Sequence, residues 1–433
     1  MMKWVNEVDY EVASSSGDVS AESGQWTKRY IYRLPAHVTG LDDKTYKPQV
    51  VSLGPYHHGQ PHLKGGAMEE HKHRALLHFL KRCGKSLRFY VEALAQVVQE
   101  LRDAYDQLDP KWRDDDDAFL KMMVVDGCFI LELLRMDTDD YAHNDPLFSK
   151  HGHLHMLSSL KREMLLLENQ VPLLLLLRLL AVTNEESGVE QEEYLKRLIV
   201  RFYFPGAPQR PIGKCLHLLD VSRKTLVYED PRTSLRRRRR RRSQHNESHV
   251  HGLLPKATDI CDAGVIFSNT SVNLQDITFR HGTLRLPALE IDTGTKSMLL
   301  NLIAYERFHL SDHGNEITSY VFFLNGLVRD SKDVDLLSSF DIIKNSLGSE
   351  EDVANLFSLL RQCVSLDPES SRDMPDMIAI QQLTTYVTRA HNKWRQNLAR
   401  RYFGDPWWFI TALLFILAVI QTVFSVLSYT DKK

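Results

Sequence analysis

An uncharged stretch near the C-terminus constrains this chain more than any other feature. It runs from Trp407 to Leu427 as WWFITALLFILAVIQTVFSVL, 21 residues without a charged side chain. A helix of that length is roughly 30 Å long, which matches the hydrocarbon core of a bilayer. Trp407 and Trp408 at one end and Tyr429 at the other are the aromatic residues expected at the two membrane interfaces. The stretch predicts one transmembrane helix at 407–427, followed by a short tail at 428–433.

Basic residues around this stretch predict its orientation. Those before it are Arg389, Lys393, Arg395, Arg400 and Arg401, and those after it are Lys432 and Lys433. An excess of Lys and Arg marks the cytosolic side of a membrane segment. The first 30 residues contain no apolar run long enough to be the core of a signal peptide. We therefore expect a single-pass tail anchor in the plasma membrane or an endomembrane, with the large N-terminal part in the cytosol.

The rest of the chain has the composition of a globular protein. Of the 433 residues, 43% are hydrophobic and 25% are charged, which is enough to build a large core. The formal net charge of −2 gives no general attraction to nucleic acid, so no specific nucleic-acid partner is predicted. The five cysteines are far apart and form no CxxC pair, which fits a reducing, cytosolic environment. Residues 1–29 are rich in Ser, Gly and charge and are predicted to be disordered.

Hydrophobic periodicity predicts that the part before the anchor is mainly helical. Apolar residues recur at steps of three, four or seven from Leu76 to Tyr105, which predicts one long amphipathic helix. The block Ala118–Arg135 is apolar on nearly every side and predicts a helix at the centre of the domain. The segment Leu160–Ala181 has uncharged stretches too short to cross a bilayer, and Pro172 breaks its helix, so we expect it in the core.

A small β region is predicted between about Lys214 and Asp292. It is indicated by short apolar runs punctuated by Gly and Pro, at Gly264–Phe267, Val272–Phe279 and Leu284–Ile291. Helical spacing then returns at Met298–His309, Ile317–Val328, Asp352–Leu366 and Met374–Tyr402. The predicted architecture is one large, mainly α domain at 30–403 with a small β region, followed by the C-terminal transmembrane helix.

Sequence blocks along most of the chain resemble one plant family. The first block is VSLGPYHHGQPHL at Val51–Leu63, followed by Met68, Glu69 and Lys72. The later blocks, in order, are VDGCFILELL at Val125–Leu134, LLENQVPLLLL at Leu166–Leu176, HLLD at His217–Asp220, KATDICDAGVIF at Lys256–Phe267, LPALEID at Leu286–Asp292, LNLIAYER at Leu300–Arg307, VDLLSSFDII at Val334–Ile343, DVANLFSLL at Asp352–Leu360 and YFGDPWWFIT at Tyr402–Thr411. Together they resemble domain of unknown function 247, from about Tyr30 to the C-terminus.

This resemblance implies a plant membrane protein whose biochemical activity is undefined. Some members in grasses are implicated as pollen-side determinants of self-incompatibility, which implies a role in cell–cell recognition for those members. The chain departs from the family in two places. It has Thr-Lys at Thr295–Lys296 where the family commonly has Thr-Glu, and its arginine-rich stretch looks like a variable insertion. A fold-level association of this kind does not define a reaction.

Polar residues inside apolar blocks are the candidates for chemistry. Glu168, Asn169 and Gln170 interrupt a leucine-rich block, and Asp126 lies in the second predicted helix. Because an unpaired buried polar group costs about 1 to 3 kcal/mol, these side chains need partners. One interpretation is a buried network that caps backbone groups freed by Pro172. The other is a catalytic or ligand-binding carboxylate, with Asp126 and Glu168 acting as an acid–base pair if they are close in space.

Known catalytic motifs are absent from the sequence, so no catalytic residue and no cofactor is predicted. The chain has no GxSxG, GxxxxGK[ST] or GxGxxG motif and no kinase HRD and DFG pair. Six histidines cluster between His57 and His78, but His57 and His58 are adjacent, no cysteine is near them, and no HExxH is present. We therefore expect His57 and His58 to make hydrogen bonds in a turn, and we predict no metal site.

A run of arginines forms the most basic part of the chain. It lies in a polar stretch at about 231–250 that is predicted to be an exposed loop, because seven adjacent guanidinium groups repel one another. Its members are Arg236, Arg237, Arg238, Arg239, Arg240, Arg241 and Arg242. Anionic lipid headgroups are the preferred partner, at about 1 kcal/mol for each side chain near the surface. A nuclear-localisation-like or nucleic-acid patch and an insertion without a role are the alternatives.

Two classes of function remain open. The first is a membrane-anchored interaction or recognition protein with a protein partner of unknown identity, indicated by the predicted anchor, the missing catalytic motifs and the family resemblance. The second is a membrane-tethered enzyme of an unrecognised class, built around Glu168 and Asp126. The positions of these two carboxylates in the fold distinguish between them.

Overall fold

The computed structural model describes residues 28–39, 43–63, 67–136, 141–183, 189–228, 254–270, 273–309, 314–363, 377–389, 410 and 413–423. The chain divides into two compact units that alternate along the sequence. Unit 1 contains Met1–Tyr228 and Asp292–Ile317, and unit 2 contains Glu229–Ile291 and Thr318–Lys433. The predicted disordered segment at 1–29 lies outside the described residues except for its last two, and so does the arginine run Arg236–Arg242.

Unit 1 is built from helices. In chain order they are α1 Ala36–Thr39, α2 Asp43–Tyr46, α3 Ala67–Cys83, α4 Leu87–Ala95, α5 Val98–Asp103, α6 Pro110–Asp114, α7 Asp116–Arg135, α8 Lys150–Glu163, α9 Leu173–Thr183, α10 Val189–Tyr203, α11 Leu218–Leu226 and, after the β region, α13 Thr295–Phe308. The prediction of a mainly helical fold is confirmed.

The centre of unit 1 is α7, as its apolar sequence predicts. Fourteen of its residues are buried, and it packs against α3, α4 and α9. Gly127 makes the approach of α9 possible, because a Cβ atom at this position would lie 2.4 Å from Cδ1 of Leu179. Asp115 caps the N-terminus of α7, because its side chain accepts a hydrogen bond from the N–H of Ala118.

The expected long helix from Leu76 to Tyr105 is wrong, because three helices, α3 to α5, occupy this stretch. Gly84 has a φ of +66°, a left-handed conformation that ends α3. Ser86 then caps α4 by accepting a hydrogen bond from Arg88 N–H. The apolar spacing continues across this break because α3 and α4 both pack on α7, so periodicity alone did not reveal the turn.

The leucine-rich segment near Pro172 lies in the core of unit 1, as predicted. It forms the end of α8, a 3₁₀ turn at Leu167–Asn169 and then α9. Leu160, Leu175 and Leu179 are buried in it. Two consecutive helical segments here, Met156–Glu163 and Leu167–Thr183, are together long and apolar enough to span a membrane. The chain bends by 99° between them.

Unit 2 contains the predicted β region. Its strands are β1 Ile266–Thr270, β2 Thr278–Arg280, β3 Thr283–Pro287, β4 Leu289–Ile291 and β5 Ile343–Asn345. β3 lies between β1, with which it is parallel, and β2, with which it is antiparallel. β4 pairs with β5 in a second, parallel sheet. β5 overlaps the end of the VDLLSSFDII block and lies outside the region in which strands were expected.

The remaining described helices of unit 2 are α12 Ala257–Asp262, α14 Glu316–Leu327 (whose first two residues belong to unit 1), α15 Ser331–Ser339, α16 Glu350–Cys363 and α17 Met377–Thr388. Of these, α15 contacts β5 and α17 contacts β2. Asp330 and Asp333 form a capping box that starts α15. The ring of Tyr386 in α17 packs edge-on against Phe279 of β2.

A short apolar helix, α18, lies inside the stretch predicted to cross the membrane. It spans Leu413–Val423, and the side chains along it are exposed. In the part of the chain that the structure describes, no single helix is both long and apolar enough to cross a membrane. Trp407, Trp408 and Tyr429, the predicted interface residues, lie outside the described residues.

Candidate functional site

A buried segment of irregular backbone, residues 49–57, lies at the centre of the polar chemistry of unit 1. Every residue from Val51 to His57 is buried, yet none belongs to a helix or a strand. Buried N–H and C=O groups need partners, and here no neighbouring strand supplies them. Four polar side chains from distant parts of the sequence do so, and these define the site.

Glu163, the last residue of α8, binds the start of the segment. Its Oε1 accepts a hydrogen bond from Gln49 N–H at 2.8 Å, and its Oε2 accepts from Val50 N–H at 2.8 Å and Val51 N–H at 2.7 Å. Arg162 donates to the same carboxylate at 2.8 Å and balances its charge. Hydrogen bonds to an ionised acceptor are stronger than neutral ones, so Glu163 fixes this turn of backbone firmly.

Asn169 binds the middle of the segment. Its Oδ1 accepts from Leu53 N–H at 2.7 Å. Its Nδ2 donates to Val51 O and to Glu163 O, each at 3.0 Å. The amide satisfies both sets of backbone groups at once, because it offers an acceptor on one side and two donors on the other.

Asp126 and Lys72 form a buried ion pair under the next residues. Asp126 Oδ2 accepts from Gly54 N–H at 2.8 Å, and its Oδ1 lies 2.8 Å from Lys72 Nζ. Lys72 also donates to Ser52 O at 2.5 Å and pairs with Glu69 at 2.8 Å. Burial disfavours the charged amine, but the carboxylates of Asp126 and Glu69 outweigh this and raise the pKa of Lys72 above its usual value.

Glu168 and His57 form the last contact of the network. Glu168 Oε1 accepts from Leu34 N–H at 2.6 Å, and its Oε2 lies 2.9 Å from His57 Nε2. The other ring nitrogen of His57 lies 2.9 Å from Gln60 Nε2. His57 therefore makes a hydrogen bond to Gln60 in a turn, as expected from the sequence, whereas the contact shown for His58 is with the ring of Trp112.

Gln170 extends the network to α11. Its Nε2 donates to Met164 O at 2.7 Å and Leu166 O at 2.8 Å, and its Oε1 accepts from Leu219 N–H at 3.1 Å. The expectation of a buried network in LLENQVP agrees with the structure, but the capped groups differ from those expected. Most of them belong to segments far away in sequence rather than to the backbone freed by Pro172.

The candidate acid–base pair is not available as a pair. Asp126 is engaged by Lys72 and Gly54, whereas Glu168 is engaged by His57 and Leu34. Both carboxylates are buried. Each therefore serves as a fixed acceptor for backbone and for its own basic partner, which is a structural role.

Gly54 is required by this network on steric grounds. Its φ is +69°, and a Cβ atom there would lie 2.9 Å from Gln170 O and from Tyr105 Oη. We expect Gly54→Ala to lower the free energy of unfolding by about 1 to 3 kcal/mol more than Gly84→Ala, measured by chemical denaturation. Gly84 is the matched control, because its φ is +66° and a Cβ atom added there would have no other atom within 4 Å. Equal effects would show that only backbone strain matters.

A second buried polar centre caps α11. His217 Nδ1 accepts from Asp220 N–H at 3.2 Å, and its ring meets Tyr305 edge-on at 4.9 Å. Burial lowers the pKa of His217 from 6.5 to about 3. Asp220 is paired with Lys224 at 2.9 Å.

The shifted histidine makes stability depend on pH. Between pH 6.5 and about 3 the unfolded chain binds a proton at His217 that the folded protein does not, so stability falls as the pH falls. Between pH 7 and pH 5 this lowers the free energy of unfolding by about 2 kcal/mol. We expect His217→Asn, which keeps an acceptor for Asp220 N–H, to lose this component in denaturation curves, whereas the exposed control His37→Asn keeps it. Identical pH profiles for wild type and His217→Asn would contradict the assignment.

The histidines near the buried segment are dispersed over different contacts. His58 packs edge-on against Trp112 at 5.2 Å, His62 Nε2 lies 3.0 Å from Pro48 O, and His78 stacks on Tyr141 at 4.2 Å. Among the described residues, no group of three or more His, Cys, Asp or Glu side chains is arranged to hold a metal ion.

The fold and the polar network define a mainly helical protein whose buried irregular segment is held by side chains from distant helices. The sequence profile of DUF247, described as a plant protein of unknown function, matches residues 31–421. The chain belongs to this family. No solved structure matches it significantly.

Two proteins of Arabidopsis thaliana are similar over nearly the full chain. UPF0481 protein At3g47200 is 30% identical over 93% of this chain and 87% of its own length. Putative UPF0481 protein At3g02645 is 22% identical over 91% of this chain and 89% of its own length. Neither name states an activity, so the comparisons establish the family and leave the biochemical role open.

Proposed function

We propose that this chain is a membrane-anchored plant protein that works as an interaction or recognition module, with 407–427 as its anchor. The observation that carries the proposal is the exposure of α18. Leu414, Phe415 and Leu417 are among its large apolar side chains, and they are more than half exposed. A helix with apolar side chains on every face is stable in a bilayer and unfavourable in water.

The polar network has a structural role and gives the enzymatic alternative no specific support. The carboxylates that an enzyme of this sequence would use, Asp126 and Glu168, are committed to backbone and basic partners. The specific support for the enzymatic alternative is thereby lost. The recognition role that the family resemblance implies for some grass members is the role we propose to test first.

The anchor is tested by placing charge at its centre. We expect Leu414→Arg with Leu417→Arg to release the chain from membranes washed with alkaline carbonate, because each arginine costs about 2.5 to 3.5 kcal/mol at the centre of a membrane helix. Ser428→Arg with Thr430→Arg adds the same charge outside the segment and should leave the chain in the membrane pellet. Release of the wild-type chain by carbonate would overturn the proposal.

The orientation and the partner are tested separately. In sealed microsomes bearing the chain with a tag at each end, we expect added proteinase to remove the N-terminal tag and the large domain. Protection of that domain would place it on the lumenal side instead. Crosslinking in plant membranes should then recover a protein partner with the wild-type chain and not with a chain whose unit 1 is unfolded. Repeated failure to recover any partner would contradict the recognition role.

A further inference from the structure

The turn between α3 and α4 protrudes from unit 1 and carries bulky apolar side chains. All six residues at 84–89 are exposed. Among them, Phe89 is 57% exposed and Leu87 is 40% exposed. Nothing lies within 4 Å of a Cβ atom built on Gly84, so the backbone at this position faces open space. We call residues 81–89 the α3–α4 corner.

The sequence that contains this corner is basic. No Asp or Glu occurs between Glu70 and Glu92, whereas that interval contains six Lys and Arg residues. Three of these are paired with carboxylates from elsewhere in unit 1: Lys72 with Asp126, Arg74 with Asp145 and Arg82 with Glu132. The other three, Lys81, Lys85 and Arg88, lie on the corner, as does the paired Arg82.

Those three cations face solvent. Lys81 and Lys85 are exposed, and the side chain of Arg88 is 83% exposed although it pairs with Glu92 at 2.6 Å. Lys85 also donates to Val182 O. The corner therefore combines an exposed aromatic ring and a leucine with a net positive charge, and it has no acidic side chain of its own.

We propose that the α3–α4 corner binds the surface of an anionic membrane, with Phe89 and Leu87 entering the headgroup region. Aromatic and leucine side chains favour that depth, and each Lys or Arg near an anionic leaflet strengthens binding about fivefold. An acidic protein surface would satisfy the cations but would leave the exposed apolar side chains of Phe89 and Leu87 without an apolar partner. The inference deepens the proposed function and rests on it, since the anchor keeps unit 1 near the same membrane at high effective concentration.

Unit 1 contains a matched control for this surface. Val189, at the start of α10, is 78% exposed, which is more than Phe89. It is followed by Glu190, Glu192 and Glu193. If apolar exposure alone determined contact with lipid, Val189 would contact lipid as Phe89 does. If contact also requires positive charge, Val189 would not contact an anionic membrane.

The test uses the full chain reconstituted in vesicles. A photoreactive phenylalanine analogue, benzoylphenylalanine, replaces Phe89 or, in the control, Val189, and crosslinks to lipid are counted after illumination. With vesicles of phosphatidylcholine and phosphatidylserine we expect lipid crosslinks from position 89 and few from position 189. Pure phosphatidylcholine, added salt, or Lys81→Gln with Lys85→Gln and Arg88→Gln should each reduce the crosslinks from position 89 by about fivefold or more.

The outcomes separate this inference from the anchor. If the chain resists carbonate but positions 89 and 189 label lipid equally, or position 89 labels only protein, the inference is wrong and the anchor stands. If position 89 labels lipid in a chain that carbonate removes, the anchor is wrong, and the corner binds lipid without the help of an anchor. Crosslinking at position 89 that does not depend on phosphatidylserine would also overturn it, because the three cations would then have no role.

Discussion

Replacing Asp126 with alanine lowers the free energy of unfolding by about 3 to 5 kcal/mol. The reason is the fully buried amine of Lys72, whose Nζ lies 2.8 Å from Asp126 Oδ1. Without this carboxylate, the positive charge stays in the core, where Glu69 and Ser52 O are its remaining partners among the described residues. Gly54 N–H also loses its acceptor. The measurement is chemical denaturation of the full chain in detergent, followed by circular dichroism.

A double variant separates the charge from the packing. Lys72→Met with Asp126→Asn removes both charges and keeps an acceptor for Gly54 N–H, so it should recover most of the stability that Asp126→Ala loses. The exposed pair between Arg88 and Glu92 is the control, because removing one partner there should leave the denaturation curve unchanged. If Asp126→Ala behaves like Glu92→Ala, the buried pair is not a stabilising element of unit 1.

Asn169→Ala is the second change with a large expected effect. It removes the hydrogen-bond partner of two buried backbone groups, Leu53 N–H and Val51 O, and it removes one of two donors to Glu163 O, which keeps the bond from Leu166 N–H. Each unsatisfied group costs about 1 to 3 kcal/mol, so the free energy of unfolding should fall by at least about 2 kcal/mol.

Two further variants make this test specific. Asn169→Asp keeps the acceptor for Leu53 N–H, but it replaces the amide nitrogen that donates to Val51 O and Glu163 O with an oxygen that cannot donate. This variant should therefore be no more stable than Asn169→Ala. Gln99→Ala removes an amide that bonds Asp103 on the exposed face of α5, and it should have little effect. Amide hydrogen exchange should show faster exchange at Val51 and Leu53 in Asn169→Ala. Unchanged exchange there would refute the role assigned to Asn169.

Local sequence pattern predicted the elements whose signal lies within a short stretch of sequence. The apolar block of α7, the break near Pro172 and the short runs of the β region each carry their signal within about 20 residues, which is the range of a periodicity argument. The turn at Gly84 carried a signal too, because glycine commonly ends a helix. The apolar spacing, which continues from α3 into α4, outweighed this glycine signal in the prediction of one long helix.

The polar network could be predicted only in part. Lys72 shares the buried face of α3 with Met68, Ala75 and Phe79, and a lysine at an apolar position of a helix indicates a buried partner. Its partner, Asp126, lies 54 residues away in the sequence. Glu163 binds residues more than 110 positions earlier. No property of a single sequence links such distant residues, so their roles appear only in the folded chain.

The division of unit 1 into two stretches of sequence sets the order in which it can form during synthesis. Thr45 O accepts hydrogen bonds from Ser297 Oγ at 2.7 Å and from Asn301 Nδ2 at 3.1 Å, and Leu167 N–H donates to Asn301 Oδ1 at 2.9 Å. At about 5 to 20 residues per second, the ribosome makes Asn301 about 13 to 50 s after Thr45. The N-terminal helices of the nascent chain therefore keep part of their core exposed to solvent while the unit 2 sequence from Glu229 to Ile291 is made. We expect the need for a chaperone to be greatest during this interval.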